Sequence, residues 1–157
     1  MKINTEIDRI KKIKDENLDG IVLAAAGLLR ANMEKYISYY IPINIMVPAP
    51  AQGALAIQIR DNDSYIENLI KSLKDEEAEI QVAAERGFLD GVNGSCHIPM
   101  GAFCSINNDR IKLTGLYGNE TGTNLVIKSI DGSINNPRKL GLELARTILE
   151  EYKSYEG

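Results

Sequence analysis

The residue types that could do covalent chemistry in this chain are concentrated in one short stretch, NGSCHIPM at residues 93–100. It holds one of the two cysteines, Cys96, and the single histidine, His97, between a glycine and a proline. Three interpretations of the thiol are open: a nucleophile with a histidine base, an attachment point for a covalently bound group, or an inert loop thiol. A glycine-flanked cysteine in a loop after a helix is accessible, and its thiolate could add to an electrophile.

A cysteine hydrolase and a metal centre both fit these residues poorly. A hydrolase needs a base that reaches the sulfur and a third group that orients this base. Side chains of adjacent residues in an extended segment point to opposite faces, so His97 is badly placed to activate Cys96. One histidine and two cysteines without CxxC spacing cannot furnish a zinc shell, and we expect no metal site.

Composition and charge narrow the class of protein. The 157 residues are 44% hydrophobic and 25% charged, which fits one ordinary globular domain or two small ones. The net charge is −4 and no basic run stands out, so nucleic acid is not an expected partner. We expect no signal peptide, and no apolar run approaches the roughly 18 residues of a membrane span. We therefore expect a soluble cytoplasmic protein with no disulfide between Cys96 and Cys104.

The first part of the chain predicts short elements joined by prolines. A charged amphipathic stretch runs from Asp8 to Lys14, and the apolar run GIVLAAAG from Gly20 is typical of a buried strand that leads into a helix start. Residues 33–47 suit either a short helix or a strand, and residues 55–59 alternate like a strand with one buried face. These elements are too few to close a core, so this part resembles the end of something larger.

The second part of the chain predicts helices followed by an antiparallel sheet. Residues 64–67 fit a capping box, and the acidic residues 75–79 indicate a second helix that should stop near Gly91 or Gly94. Beyond Cys96, three segments of period two are separated by turn formers, which predicts a three-stranded meander.

A last helix is expected over residues 137–153, because Pro137 suits a first helical turn and the leucines that follow have helical spacing. One face of the meander needs cover, and the helices on either side of it are the available cover. The predicted fold class is therefore α+β, a three-stranded antiparallel sheet covered by helices, preceded by an incomplete α/β segment.

Three segments resemble signatures of the porphobilinogen deaminase family, also called hydroxymethylbilane synthase. AAERGFLDGVNGSCHIPMGAF is similar to the family's AER, GGC and P-[IL]-G pattern, LDGIVLAAAGLLRAN to its LDAIILAxAGLxRL, and PAPAQGALAIQIR to its PAxGQGALxIExR. They follow the family's order and cover most of residues 18–104. The chain is identified as a member of this family, which belongs to tetrapyrrole, porphyrin and heme biosynthesis.

The resemblance implies that Cys96 carries the dipyrromethane cofactor through a thioether bond. In this family the cofactor is a primer onto which four porphobilinogen molecules are deaminated and joined, and the linear tetrapyrrole is then released. Porphobilinogen and its pyrrole oligomers would be the small-molecule partners. A soft thiolate suits attachment to an electron-poor pyrrole derivative.

The resemblance also assigns residues to the cofactor and substrate site. Each pyrrole unit carries an acetate and a propionate, which guanidinium groups bind in a bidentate manner. Arg30 and Arg9 match the family's arginines, and the same cleft would be lined by Ala24, Gly27 and Gln52.

Several positions depart from the family pattern. INTEID stands before Arg9 where the family has RGNxxT, Ala51 replaces the usual glycine of GQGA, and Ser95 replaces the second glycine of GGC. The family's catalytic aspartate lies in an S-x-K-D-x-P motif that this chain lacks, so no catalytic residue is assigned on it. Residues 72–75 read SLKD, but no proline follows two residues later and the segment belongs to another helix.

Matched to the family, residues 1–47 correspond to the C-terminal part of the second α/β domain. Residues 48–72 correspond to the strand and helix that return to the first domain, and residues 73–157 to the complete cofactor-attachment domain. The chain is interpreted as the C-terminal portion of a deaminase, inactive without its N-terminal domains. The alternatives are a stand-alone, non-catalytic domain that binds a ligand or a protein, and a structural module whose exposed apolar face makes a dimer.

Overall fold

The computed structural model describes residues 6–93 and 98–156. The chain divides into two compact units, Met1–Pro42 and Ile43–Gly157. Among the described residues, no helix combines the length and the apolar character that crossing a membrane requires.

The first unit contains two short helices that end in the same way. Helix α1 spans Glu6–Asp15 and helix α2 spans Ala25–Arg30. Asn17 and Asn32 follow them at φ 51° and 54°, a left-handed conformation that asparagine tolerates better than most residues. The next N–H group in each case donates back to the last helical turn, over 2.9 Å after α1 and 2.8 Å after α2. The asparagines thus terminate both helices.

The strand predicted from Gly20 is not formed. Residues 20–24 lead into α2, but no described strand pairs with them, and Val22 is 65% exposed. A strand needs a neighbour for its N–H and C=O groups, and residues 6–93 and 98–156 provide none for this segment. The prediction is wrong for the strand and right for the helix start. Residues 33–47 contain one 3-10 turn, Glu34–Tyr36, rather than a strand.

The strand predicted over residues 55–59 is also not formed, and Leu55 and Ile57 are 84% and 56% exposed. Helix α3 then spans Ser64–Ile70. Its N-cap is Asp63, whose carboxylate accepts the N–H of Ile66 at 3.2 Å. The cap therefore lies one residue before the one predicted from the capping-box pattern.

Helix α4 spans Glu76–Gly91 and begins and ends where the sequence predicts. Asp75 caps it by accepting the N–H of Ala78 at 3.0 Å. The aspartate of the SLKD segment therefore has a structural role. Asn93 follows the helix at φ 51°.

The predicted meander is confirmed. Strands β1 (Met100–Asn107), β2 (Arg110–Gly118) and β3 (Leu125–Ser133) pair antiparallel in the order β1-β2-β3. Cys104 lies opposite Leu113 in the register. The first hairpin has a two-residue loop, and the second a six-residue loop, both at the predicted turn formers.

Helix α5 spans Pro137–Glu156, and α4 and α5 pack together over one face of the sheet. The helices approach so closely that a Cβ on Gly141 would lie 2.5 Å from the backbone nitrogen of Phe88. The predicted α+β class, with a helix-covered sheet, is confirmed. The largest fully buried side chains of this core are Phe88, Ile111, Leu113, Leu144, Ile148 and Cys104.

Candidate functional site

Cys96 and His97 lie outside the described residues, so the interpretation of this thiol depends on its surroundings in the chain. The helix before it ends at Gly91, and the strand after it begins at Met100. The attachment segment, residues 92–99, is thus the connection between α4 and β1. Both of these elements contribute to the core of the second unit.

Cys104, the second cysteine, is a free thiol buried in that core with 1% exposure. Burial, and then the nearby carboxylate of Glu85, raise the pKa of Cys104 to about 11. At neutral pH it is therefore a protonated thiol, whereas the thiolate is the nucleophile. Cys104 is thus unsuited to covalent attachment.

Glu85 is the buried carboxylate of α4, with 8% exposure. One of its oxygens, Oε1, accepts the N–H of Cys104 at 2.8 Å, and the other, Oε2, accepts the N–H of Ala51 at 2.6 Å. Burial raises the pKa of Glu85, while these two backbone hydrogen bonds act in the opposite direction. Glu85 therefore connects a segment 34 residues earlier in the chain to strand β1.

Segment 47–51 lies along the edge of β1 that does not pair with β2. The N–H of Ala102 donates to the carbonyl of Pro48 at 2.9 Å. A Cβ on Gly101 would lie 2.7 Å from the carbonyl oxygen of Val47, so only glycine permits this approach. Unpaired N–H groups at the edge of a sheet can pair with other chains. Two such groups of β1 are hydrogen-bonded here, that of Ala102 to Pro48 and that of Cys104 to Glu85.

Gln52 closes a turn at the end of this segment. Its N–H donates to the carbonyl of Ala49 at 3.1 Å, and its Oε1 accepts the N–H of Ala49 at 3.3 Å. Ala51 adopts φ 60° in this turn, a conformation that costs an alanine more than a glycine. Ala51 thus adopts a conformation that suits glycine, the residue that the resembling motif usually has at this position.

Helix α2 brings together three of the predicted site residues. Ala24 is its N-cap, Gly27 donates its N–H to the carbonyl of Ala24 at 3.0 Å, and Arg30 is its last residue. Arg30 is exposed, and it forms no hydrogen bond or ion pair within residues 6–93 and 98–156. Arg9 is exposed on α1 of the same unit, whereas Gln52 belongs to the second unit.

The roles of Glu85 and Gly101 were not predicted from the sequence, where both residues only form part of a longer motif. A signal for Glu85 exists, because it lies three residues before Phe88 and seven before Val92, on a buried stripe of α4. A carboxylate on such a stripe needs hydrogen-bond donors. No comparable signal exists for Gly101, because the sequence does not show which segment lies against it.

No group of three or more His, Cys, Asp or Glu side chains that could hold a metal ion occurs in the part of the chain that the structure describes.

Comparisons with known proteins cover both parts of the chain. Residues 3–68 match the family model described as "Porphobilinogen deaminase, dipyromethane cofactor binding domain". Residues 79–150 match the model described as "Porphobilinogen deaminase, C-terminal domain". Glu85 in the second match is thus hydrogen-bonded to Ala51 in the first.

Curated relatives agree with the family models. The chain is 65% identical over 149 residues to "Porphobilinogen deaminase" of Clostridioides difficile (strain 630), covering 95% of this chain and 50% of the relative. It is 48% identical over 146 residues to the protein of that name from Clostridium novyi (strain NT), covering 91% of this chain and 49% of the relative. The chain therefore spans about half the length of the curated relatives it matches. With two family models matched in succession and relatives at this identity, the chain belongs to the porphobilinogen deaminase family.

Proposed function

We propose that this chain is the cofactor-carrying part of a porphobilinogen deaminase, which joins four porphobilinogen units into hydroxymethylbilane on a dipyrromethane attached to Cys96. The observation that carries the proposal is the state of the other cysteine. Cys104 is buried, and the raised pKa of its thiol disfavours the thiolate, so Cys96 is the thiol suited to form the thioether. When bound, the dipyrromethane supplies the primer to which the substrate units are added.

The residues of the first unit suit a ligand rich in carboxylates. Arg30 presents an exposed guanidinium that no described residue engages, and guanidinium groups bind carboxylates through two parallel hydrogen bonds. Ala24, the N-cap of α2, and Gly27 within that helix carry at most a methyl group, which suits close approach of the same ligand. Arg9 would supply a second cation to the acetate and propionate groups.

Gln52 would add a neutral donor to this set. Its side-chain oxygen is engaged by the N–H of Ala49, while its side-chain NH₂ group has no partner among the described residues. That NH₂ group can donate to a carboxylate oxygen of the attached group.

The catalytic carboxylate would come from a part of the protein outside this chain. The S-x-K-D-x-P motif is missing, and Asp75 of the SLKD segment is committed to capping α4. We therefore assign residues 1–47 to the end of a second domain, 48–72 to the return to a first domain, and 73–157 to the attachment domain. The N-terminal domains would be the partner that makes the site complete.

The experiment that tests this function compares porphobilinogen consumption by the purified 157-residue chain and by the complete product of its gene. We expect turnover by the complete product and none by the chain alone. Turnover by the chain alone would contradict the inactivity of this part. A lack of turnover by both would favour the second candidate, a non-catalytic domain that binds an acidic ligand or a protein, which the missing aspartate motif also favours.

A further inference from the structure

Glu85 connects the turn that carries Gln52 to the strand that follows the attachment segment. Its Oε2 accepts the N–H of Ala51, the residue just before Gln52, at 2.6 Å. Its Oε1 accepts the N–H of Cys104 on β1, at 2.8 Å. Strand β1 begins at Met100, soon after Cys96 in the chain. One side chain therefore bonds directly to both backbone segments.

The burial of Glu85 requires that the two N–H groups bound to its carboxylate stay in place. The residue is buried, and no lysine or arginine pairs with it in the described parts of the chain. A buried carboxylate without a cation is costly unless its oxygens are well hydrogen-bonded. Both oxygens are satisfied by backbone N–H groups, so a small displacement of either segment would leave an oxygen unsatisfied.

Segment 47–51 is held at a second point, which makes the arrangement rigid. The carbonyl of Pro48 accepts the N–H of Ala102 at 2.9 Å, and the missing side chain of Gly101 permits this contact. Ala51, beyond this point, has φ 60°. Non-glycine residues remain in that conformation only where the surroundings enforce it. The N–H of Ala51 itself is held by the long-range hydrogen bond to Glu85.

We propose that Glu85 is a positioning residue for Gln52. By holding the N–H of Ala51 against β1, it sets the Gln52 side chain in a fixed place relative to the strand that follows the attachment segment. The inference rests on the proposed function, since the place of Gln52 matters to turnover only if a dipyrrole is attached at Cys96.

The test is a double-mutant cycle in the complete gene product, with Glu85→Gln, Gln52→Ala and the combined variant. Rates of porphobilinogen consumption are divided by the fraction of molecules that carry the dipyrrole adduct, measured by intact mass. A displacement of about 1 Å can lower a rate by roughly 100-fold, so we expect each single variant to lower kcat/KM by roughly 10- to 100-fold. If Glu85 acts through Gln52, the kcat/KM of the combined variant should lie within about threefold of the kcat/KM of the slower single variant. Glu120→Gln, an exposed carboxylate in the β2–β3 loop, is the matched control and should keep the wild-type rate.

Other outcomes overturn the inference. Losses that multiply in the combined variant would mean that Glu85 acts independently of Gln52, as a purely structural residue would. A Glu85→Gln variant with the wild-type rate would also contradict positioning. A wild-type product with neither adduct nor turnover would overturn the proposed function, and with it this inference.

Gly101→Ala gives an independent test if Glu85→Gln does not fold. The added methyl group would lie 2.7 Å from the carbonyl oxygen of Val47, so it displaces the same segment without touching the carboxylate. We expect the same loss of kcat/KM and the same lack of additivity with Gln52→Ala. A wild-type rate in Gly101→Ala, or losses that multiply, would contradict the proposal.

Discussion

At the scale of single residues, the buried carboxylate of Glu85 and the buried thiol of Cys104 lie next to each other in the second unit. Glu85 accepts the N–H of Cys104, and its carboxylate contributes to the raised pKa of that thiol. The prediction that Cys96 is the attachment residue needs only the sequence, because the motif around it is local. It does not predict the role of Glu85, because that role depends on a segment 34 residues away lying against β1.

Replacement of Glu85 by Gln should destabilise the chain. A glutamine has one side-chain oxygen, so its NH₂ group would face either the N–H of Ala51 or that of Cys104. A buried donor left without an acceptor costs about 1–3 kcal/mol of unfolding free energy. Urea unfolding of the 157-residue chain measures the change. Glu120→Gln should change the free energy by less than about 0.5 kcal/mol, and equal effects of the two variants would refute the burial argument.

Because of the buried thiol of Cys104, the free energy of unfolding should fall as the pH becomes alkaline. Its pKa is raised from 9.0 to about 11, so the unfolded chain loses this proton first as pH rises. The stabilising contribution is complete below about pH 9 and is lost as the pH approaches 11. We expect the stability difference between wild type and Cys104→Ala to shrink by about 2 kcal/mol between about pH 8 and about pH 10.5.

Equilibrium unfolding with a reducing agent present measures this pH dependence. Cys96→Ala is the control, because it leaves the buried thiol in place and should follow the wild-type pH dependence. A difference between wild type and Cys104→Ala that stays constant across this range would contradict the assigned pKa.

At the scale of elements, similar sequence patterns have different outcomes in the two parts of the chain. The period-two segments after Cys96 form β1, β2 and β3, because each finds its partner within a few residues of a turn. Residues 20–24 and 55–59 carry strand patterns too, yet no described strand pairs with either. The side-chain pattern predicts which residues can form a strand, but the strand forms only where a neighbouring strand pairs with it.

The contact between α4 and α5 should not tolerate a methyl group at Gly141. Its Cβ would lie 2.5 Å from the backbone nitrogen of Phe88, and a backbone neighbour cannot move aside as a side chain can. Overpacking of this kind costs about 1–3 kcal/mol, although alanine favours a helix interior by up to about 1 kcal/mol over glycine. We expect Gly141→Ala to lower the thermal unfolding midpoint by several degrees. Gly20→Ala, where no atom lies within 4 Å, should not lower it, and an unchanged midpoint in Gly141→Ala would contradict the packing.

At the scale of the whole molecule, the chain leaves many large apolar side chains uncovered, among them Tyr39, Ile45, Leu55 and Leu73. Relatives of this family are about twice as long as the chain. Apolar segments without a partner commonly drive association. The exposed residues and the two unformed strands fit our proposal that the protein has N-terminal domains outside this chain.

The isolated chain should therefore self-associate as its concentration rises. Residues 55–57 carry a strand pattern, and their backbone groups pair with no described strand, so this segment is suited to pairing with a second copy. Light scattering after size exclusion should show a mass that increases with concentration, and Leu55→Ser with Ile57→Ser should reduce it. Leu142→Ser, on α5, is the control and should not reduce it. A monomer at every concentration would contradict this expectation.

The measurement that tests the central claim most directly is the intact mass of the complete gene product, expressed as wild type, Cys96→Ser and Cys104→Ser. Attachment at Cys96 predicts a dipyrrole adduct on the wild type and on Cys104→Ser, and none on Cys96→Ser. An adduct that survives in Cys96→Ser, or a wild type that carries none, would contradict the claim.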